Sequence, residues 1–253
     1  MLIPTSPAEA AEMFGDGGDT LVVGGGTIVV PSIRLGYERP ARALMLHRAG
    51  LGGVSQDGGR VTIGAGAALA DIVGLGDPVG ACVAHIADPE VRGQATVGGN
   101  LCASNFDAPR GDLQGALIAL GAHVRSTGKG GERTEPVEDF LANRAGRLVL
   151  DVSYDEAPGV YVYLDRQHTH EYTALAVSAV RHADGIRLGA TGVGDHGRRL
   201  ASAEAAAGDP AAAGQAALAD VDLQDDAVAS AWYREQTLPV LVRRALEQLQ
   251  EKA

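Results

Sequence analysis

The chain is poor in cysteine. Its 253 residues include only Cys82 and Cys102, which excludes a disulfide framework and leaves too few thiolates for an iron–sulfur cluster or a cysteine-rich zinc site within this chain alone. Aromatic residues make up 4% of the chain against a hydrophobic share of 45%, so its cores must be built mostly from Ala, Val and Leu. Basic residues are outnumbered, 21 Lys and Arg against 32 Asp and Glu, for a net charge of −11. No Lys/Arg run stands out, and a nucleic-acid or anionic-membrane partner needs the opposite field. An anion bound by such a chain has to be held largely by backbone N–H groups. No apolar run reaches the roughly 18 residues of a membrane span. The polar opening MLIPTSPAEAAEMFGDGGD lacks the charged and apolar regions of a secretory signal, so the expected location is cytoplasmic.

Glycine, by contrast, is abundant. The chain has 35, many of them clustered, which points to tight turns and close backbone approach. Ser6-Pro7 predicts a helix start and a short helix to about Phe14. Thr20–Val23 reads as a buried strand that ends in Gly24-Gly25-Gly26-Thr27, and the apolar run Ile28–Ile33 follows, interrupted by Pro31. Strands are expected near 43–46, 60–63, 123–126 and 148–153, and helices near 68–73, 81–86, 113–120 and 137–141. After Ala157-Pro158-Gly159 the pattern becomes three strands (160–164, 173–181 and 186–193), the last two joined by the hairpin turn His182-Ala183-Asp184-Gly185. Helices follow from Arg199, the last from about Asp226 to Leu249. The chain therefore divides near residue 157.

Two glycine segments carry the chemistry. Consecutive residues without a Cβ let peptide N–H groups converge on one point and form an anion nest. Gly24-Gly25-Gly26-Thr27 and Thr96-Val97-Gly98-Gly99-Asn100 are both of this kind, and Thr27, Thr96 and Asn100 add side-chain donors. Each segment alone reads more readily as a turn than as a phosphate cradle. Neither matches G-x-G-x-x-G with a helix following, and no G-K-[ST] is present.

The order and flanks of these segments carry a resemblance. LVVGGGTIV, the strand–turn–strand LMLHRAGLGGVSQDGGRVTIGAGAALADI, IADPEVRGQATVGGNL, GDLQGALIALGAHV and ASAWYREQTLPVLVRRAL resemble, in order and over nearly the whole chain, the FAD-binding (middle) subunit of the molybdenum hydroxylases, the xanthine and carbon monoxide dehydrogenase family. The resemblance implies an α+β fold. Residues 1–156 form a two-lobed FAD-binding domain (lobes 1–55 and 56–156), and residues 157–253 a C-terminal domain of antiparallel sheet plus helices. It implies FAD as cofactor, bound by Leu21, Val22, Val23, Gly24, Gly25, Gly26, Thr27 and Ile28. Thr96, Gly98, Gly99, Asn100, Asp112 and Val149 complete the implied site. The two glycine segments share the diphosphate, Asp112 meets the ribityl hydroxyls, and Asp107 is the weaker candidate for that role. It further implies an electron-transfer flavoprotein subunit of an oxidoreductase. A partner iron–sulfur subunit and a partner molybdopterin-binding subunit would deliver electrons to the FAD and on to an external acceptor.

Three features depart from the family pattern: Ile28 where an acidic or amide residue is usual, a longer SNFDAPRGD stretch after GGN, and no Lys at Tyr172-Thr173-Ala174-Leu175. They keep two alternatives open, a stand-alone flavoenzyme on the same scaffold and a binding protein that has lost FAD. His168-Thr169-His170-Glu171 could offer two imidazoles on one strand face, but no third ligand is evident, and no metal is expected. Cys102 reads as a small buried filler beside a nest, Cys82 as core. Tyr161, Tyr163 and Tyr172 read as sheet packing or, alternatively, as partners of a flavin ring. No nucleophilic constellation stands out.

Overall fold

A computed structural model describes residues 1–104, 111–166 and 172–252. Asp107 and the His168-Thr169-His170-Glu171 run lie outside the described residues, and nothing is described of the Tyr172 side chain.

The first lobe is a βαβ unit preceded by a helix. Ser6 caps α1 (Pro7–Phe14), its hydroxyl accepting the Glu9 amide at 3.1 Å, with Pro7 at the first position where no N–H is needed. The strand β1 (Thr20–Val23), the helix α2 (Val29–Leu35) and the strand β2 (Arg42–Met45) follow, β1 and β2 pairing in parallel. A helix thus opens directly after the first glycine segment, which the sequence reading had not expected. Pro31 does not prevent it, because the first turn of a helix leaves its amides unpaired in any case. Gly36, in the left-handed region at φ 79°, ends it.

The second lobe is a five-stranded antiparallel sheet with helices packed on it. Its strands are β3 (Val54–Asp57) and β4 (Arg60–Gly64), joined by a tight Gly58-Gly59 turn with both φ positive. The short helices α3 (Val79–Ala84), α4 (Pro89–Arg92), α5 (Val97–Cys102) and α6 (Leu113–Ala119) follow. Then come β5 (His123–Gly128), β6 (Arg133–Pro136), α7 (Val137–Ala142) and β7 (Arg147–Asp155). The sheet order is β3-β4-β7-β5-β6. Leu148 and Leu150 of β7 pack into the first lobe's core against Phe14, Leu44, Leu46 and Leu51, so the two lobes share apolar packing.

The third part is a four-stranded antiparallel sheet of β8 (Gly159–Arg166), β9 (Tyr172–His182), β10 (Gly185–Thr191) and β11 (Arg198–Arg199), in the order β11-β10-β9-β8. It is covered by α8 (Ala201–Ala205), α9 (Pro210–Ala216) and the 21-residue α10 (Ala231–Glu251). The last helix starts later than expected. Asp226 accepts the Val228 and Ala229 amides at 2.8 and 2.9 Å and pairs with the buried Arg234 at 2.7 Å, which holds a turn there until Ser230 caps the helix. The helix α6 lies backbone-to-backbone on β10, where a Cβ on Gly189 would overlap the Gly115 carbonyl oxygen. That crossing fixes the third part against the wall of the site described next.

Candidate functional site

A cavity of about 570 Å³ is walled by the first lobe and by the second lobe, including the end of α5 and the start of α6, within the size range of cofactor pockets. Leu21, Val22 and the run from Gly24 to Ile28 line one side. Thr96, Gly98, Gly99, Asn100, Asp112 and Val149 line the other. Val23, 2% exposed, is a core residue instead, since its side chain alternates inward from its neighbours on β1.

The glycines bring the two segments into contact. A Cβ on Gly24 would sit 2.5 Å from Thr96 Oγ1, and one on Gly25 would overlap the Gln94 carbonyl oxygen. A Cβ on Gly98 would lie 2.9 Å from Ala65 Cβ. Gly26 instead supplies backbone conformation, at φ 74°.

The amides of the two segments are used differently. Among the described residues, no hydrogen bond is made by the N–H groups from Gly25 to Val29; the first amide taken up is that of Val30, donating to Gly26 O at 3.0 Å. In the second segment the four amides from Val97 to Asn100 are occupied. Val97 N donates to Ala67 O at 3.0 Å, Gly98 N to Ala65 O at 2.9 Å, and Asn100 N to Thr96 O at 2.9 Å. Gly99 N donates to Thr96 Oγ1 at 3.2 Å. This revises the expectation of two pooled nests. The Thr96–Asn100 stretch is a capped helix, α5, and its backbone is a buttress. What it can still offer a guest is the Thr96 hydroxyl hydrogen, because that oxygen only accepts from Gly99. Asn100 is likewise committed, its Oδ1 accepting the Leu113 amide at 3.0 Å and tying α5 to α6.

Asp112 stands at the start of α6, 6% exposed, on the cavity wall. Its charge is felt nearby. Burial pushes the Cys82 thiol well up, and the Asp112 carboxylate adds to this. Burial also pushes the Tyr161 phenol well up, with Cys82 and then Asp112 adding. Cys102 opens onto the cavity rather than filling a core. The protein packed around it still desolvates the thiol and pushes it up to about 11, with Arg144 opposing; it is a thiol, not a reactive thiolate, at neutral pH. Tyr161 and Tyr163 are not on the cavity wall. Their rings stack at 5.7 Å between centroids, and Tyr163 meets His85 at 3.9 Å, which is the sheet-packing role.

Three residues escaped the sequence reading. Gln114, wholly buried, donates from Nε2 to Leu101 O at 2.8 Å and Ala103 O at 2.9 Å and accepts the Gly197 amide on Oε1 at 2.7 Å. It pins the end of α5 to the third sheet. Arg144 and Arg147 also line the cavity, at the end of α7 and the start of β7. Apolar wall is supplied by Leu46, Leu69, Ile86, Leu148 and Val149, a surface suited to a flat ring system. The donor-rich rim beside an apolar floor fits a cofactor with a diphosphate and a ring. Among the described residues no group of His, Cys, Asp and Glu could hold a metal ion, and no helix is long and apolar enough to cross a membrane.

Comparison with known proteins agrees with this geometry. Residues 1–153 match the family model described as the FAD binding domain in molybdopterin dehydrogenase. The chain is 26% identical to the 6-hydroxypseudooxynicotine dehydrogenase complex subunit alpha of Paenarthrobacter nicotinovorans, over all of this chain and 94% of that one. It is 32% identical to the carbon monoxide dehydrogenase medium chain of Hydrogenophaga pseudoflava over 54% of this chain and 50% of that one. A solved structure of the carbon monoxide dehydrogenase from the same organism superposes with a TM-score of 0.86 at 25% identity, covering all of this chain and 97% of the other.

Proposed function

This chain belongs to the family of FAD-binding domains of molybdopterin dehydrogenases, and from that premise we propose that it is the flavin-carrying subunit of a molybdenum-containing dehydrogenase, relaying electrons from partner iron–sulfur clusters to an external acceptor. FAD is the cofactor, and FAD supplies the ability to accept electrons singly and release them singly or in pairs. The observation that carries the reading is the run of unpaired amides from Gly25 to Val29 on the wall of a cavity whose other side is set by Thr96.

Each group has a role in this reading. The Gly25–Val29 amides and the Thr96 hydroxyl bind the diphosphate without a lysine. Asp112, an acceptor-only group when ionised, takes hydrogen bonds from ribityl hydroxyls. Ile86 and Val149 exclude water from the ring, which raises the strength of every polar contact beside it. Two cysteines cannot build an iron–sulfur cluster here, so the clusters reside in a partner subunit, and substrate oxidation takes place at a molybdopterin-binding partner.

Titrating the apo chain with FAD, followed by flavin fluorescence and by mass identification of the released cofactor, tests the binding role. Saturable one-to-one binding is expected. No saturable binding, even in the assembled complex, rejects it. Co-purification with an iron–sulfur chain and a molybdopterin-binding chain tests the assembly, and a monomeric, active flavoenzyme would reject that part.

A further inference from the structure

The amide run in the first lobe offers oriented dipoles but no net charge, and the molecule around it carries −11. A dianionic guest entering such a protein meets a repulsive field that dipoles alone offset only locally. The cavity is lined, however, by two arginines, Arg144 and Arg147, against one acidic residue, Asp112.

Neither guanidinium is in an ion pair among the described residues; Glu135 and Asp195 lie near enough for their charges to be felt by Arg147 and Arg144. Arg147, 8% exposed, donates to Ser126 Oγ at 3.1 Å, Ser126 O at 2.7 Å and Lys129 O at 2.9 Å. All of these acceptors are neutral, and it makes no ion pair among the described residues. Burial pushes its pKa down, Arg133 acts the same way, and Glu135 opposes them. Arg144 donates to Leu141 O at 2.7 Å and likewise makes no ion pair among the described residues. Arg147 is buried and Arg144 half-buried, and a cation withdrawn from water without an ion-pair partner is costly to keep. Two such arginines on one cavity wall are accounted for when the guest brings further negative charge.

We propose that Arg144 and Arg147 are the charge partners of the cofactor's diphosphate in this chain, acting through the low-dielectric wall and adding to the amide nest the net positive charge it lacks. This rests on the FAD-binding reading above. The amides fix the position of the diphosphate; the arginines set how tightly, and at what ionic strength, it is held.

The test measures FAD dissociation constants of the full-length apo chain across a series of sodium chloride concentrations, with riboflavin as the phosphate-free probe and apo melting curves as the folding control. Arg144→Met is the primary variant, because among the described residues its side chain is held only by the Leu141 carbonyl. Arg147→Met and Arg147→Lys follow. FAD affinity of wild type is expected to fall with salt. Arg144→Met and Arg147→Met each weaken FAD about tenfold at low salt, in line with a charge-assisted contact, and flatten the salt dependence. Riboflavin binding is unchanged. Arg147→Lys, which keeps the charge but not the fork, retains the wild-type salt slope. Should Arg147→Met fail to fold, Arg144→Met and Arg147→Lys decide the matter. FAD affinities within twofold of wild type and an unaltered salt slope in Arg144→Met overturn the proposal while leaving FAD binding intact. No saturable FAD binding by wild type overturns both this proposal and the reading beneath it.

Discussion

Gly24–Thr27 and Thr96–Asn100 are similar in composition and face each other across one cavity, yet their backbones are spent in different ways. In the first, the amides from Gly25 to Val29 are left without partners among the described residues. In the second, Ala65, Ala67 and Thr96 take the amides from Val97 to Asn100. The difference lies in the neighbours. The second segment runs alongside the chain leaving β4, whose carbonyls reach Val97 and Gly98, and Thr96 caps the turn that follows. The first segment leaves a strand and enters a helix whose opening amides have no preceding turn to bond to. Glycine composition signals close approach in both cases; it does not say whether the approaching partner is a ligand or another stretch of the same chain.

The contrast is most severely broken at Gly25. Gly25→Ala places a Cβ against the Gln94 carbonyl, a backbone atom that cannot rotate away. A loss of about 3 kcal/mol, or roughly 6–12 °C in melting temperature, is expected, together with loss of FAD binding in a fluorescence titration. A Gly25→Ala chain that melts and binds like wild type would mean the two segments are not wedged together.

Gln114→Leu removes the group that holds the buttress to the third sheet. It strands the Gly197 amide and the Leu101 and Ala103 carbonyls, so a loss of about 2 kcal/mol in urea denaturation is expected. A smaller loss of FAD affinity should accompany it, because no cofactor-facing amide is altered.

The two threonines sharpen the comparison. Thr96→Ala removes a cap and should cost about 1 kcal/mol of stability. Thr27→Ala, at a loop position whose side chain makes no hydrogen bond among the described residues, should change stability by less than about 0.5 kcal/mol and be seen only in FAD affinity. Equal stability losses in the two variants would show that both segments are buttresses.

The smallest effect concerns pH. Burial pushes the His196 imidazole below its ordinary value of 6.5, and the hydrogen bond it donates to Asp195 opposes this. The folded chain therefore holds this ring neutral where the unfolded chain protonates it. Its contribution is complete above about 6.5 and is lost as pH falls through that region toward the depressed folded value. Urea midpoints measured from pH 7.5 to 5 should decline, and His196→Asn should flatten part of that decline.

Much of this architecture is written locally. Ser6-Pro7 starts α1, Gly58-Gly59 turns the first hairpin, and the strand preceding Gly24 ends where its apolar run ends. The cavity residues were legible because the motifs that carry the family resemblance are the ones that line the cavity. What escaped is what depends on distant partners. The α5 helix was unreadable because glycine is a poor helix former, and its amides are captured by carbonyls some thirty residues earlier. Arg144 and Arg147 are not legible because a count of basic residues finds runs, not two separate arginines that the fold brings to one cavity. Gln114 looked like one polar position in an apolar helix, and only the folded chain shows both ends of its amide engaged.

Leu148 and Leu150 of β7 belong to the core of the first lobe, and Val149 between them lines the cavity. The first fifty-odd residues therefore lack part of their own interior until a strand nearly one hundred positions later has been made. On the ribosome, the nucleotide cleft cannot close as its first wall emerges. Cofactor loading belongs to a time after β7 has left the exit tunnel, and a nascent chain stalled before Arg147 should emerge colourless.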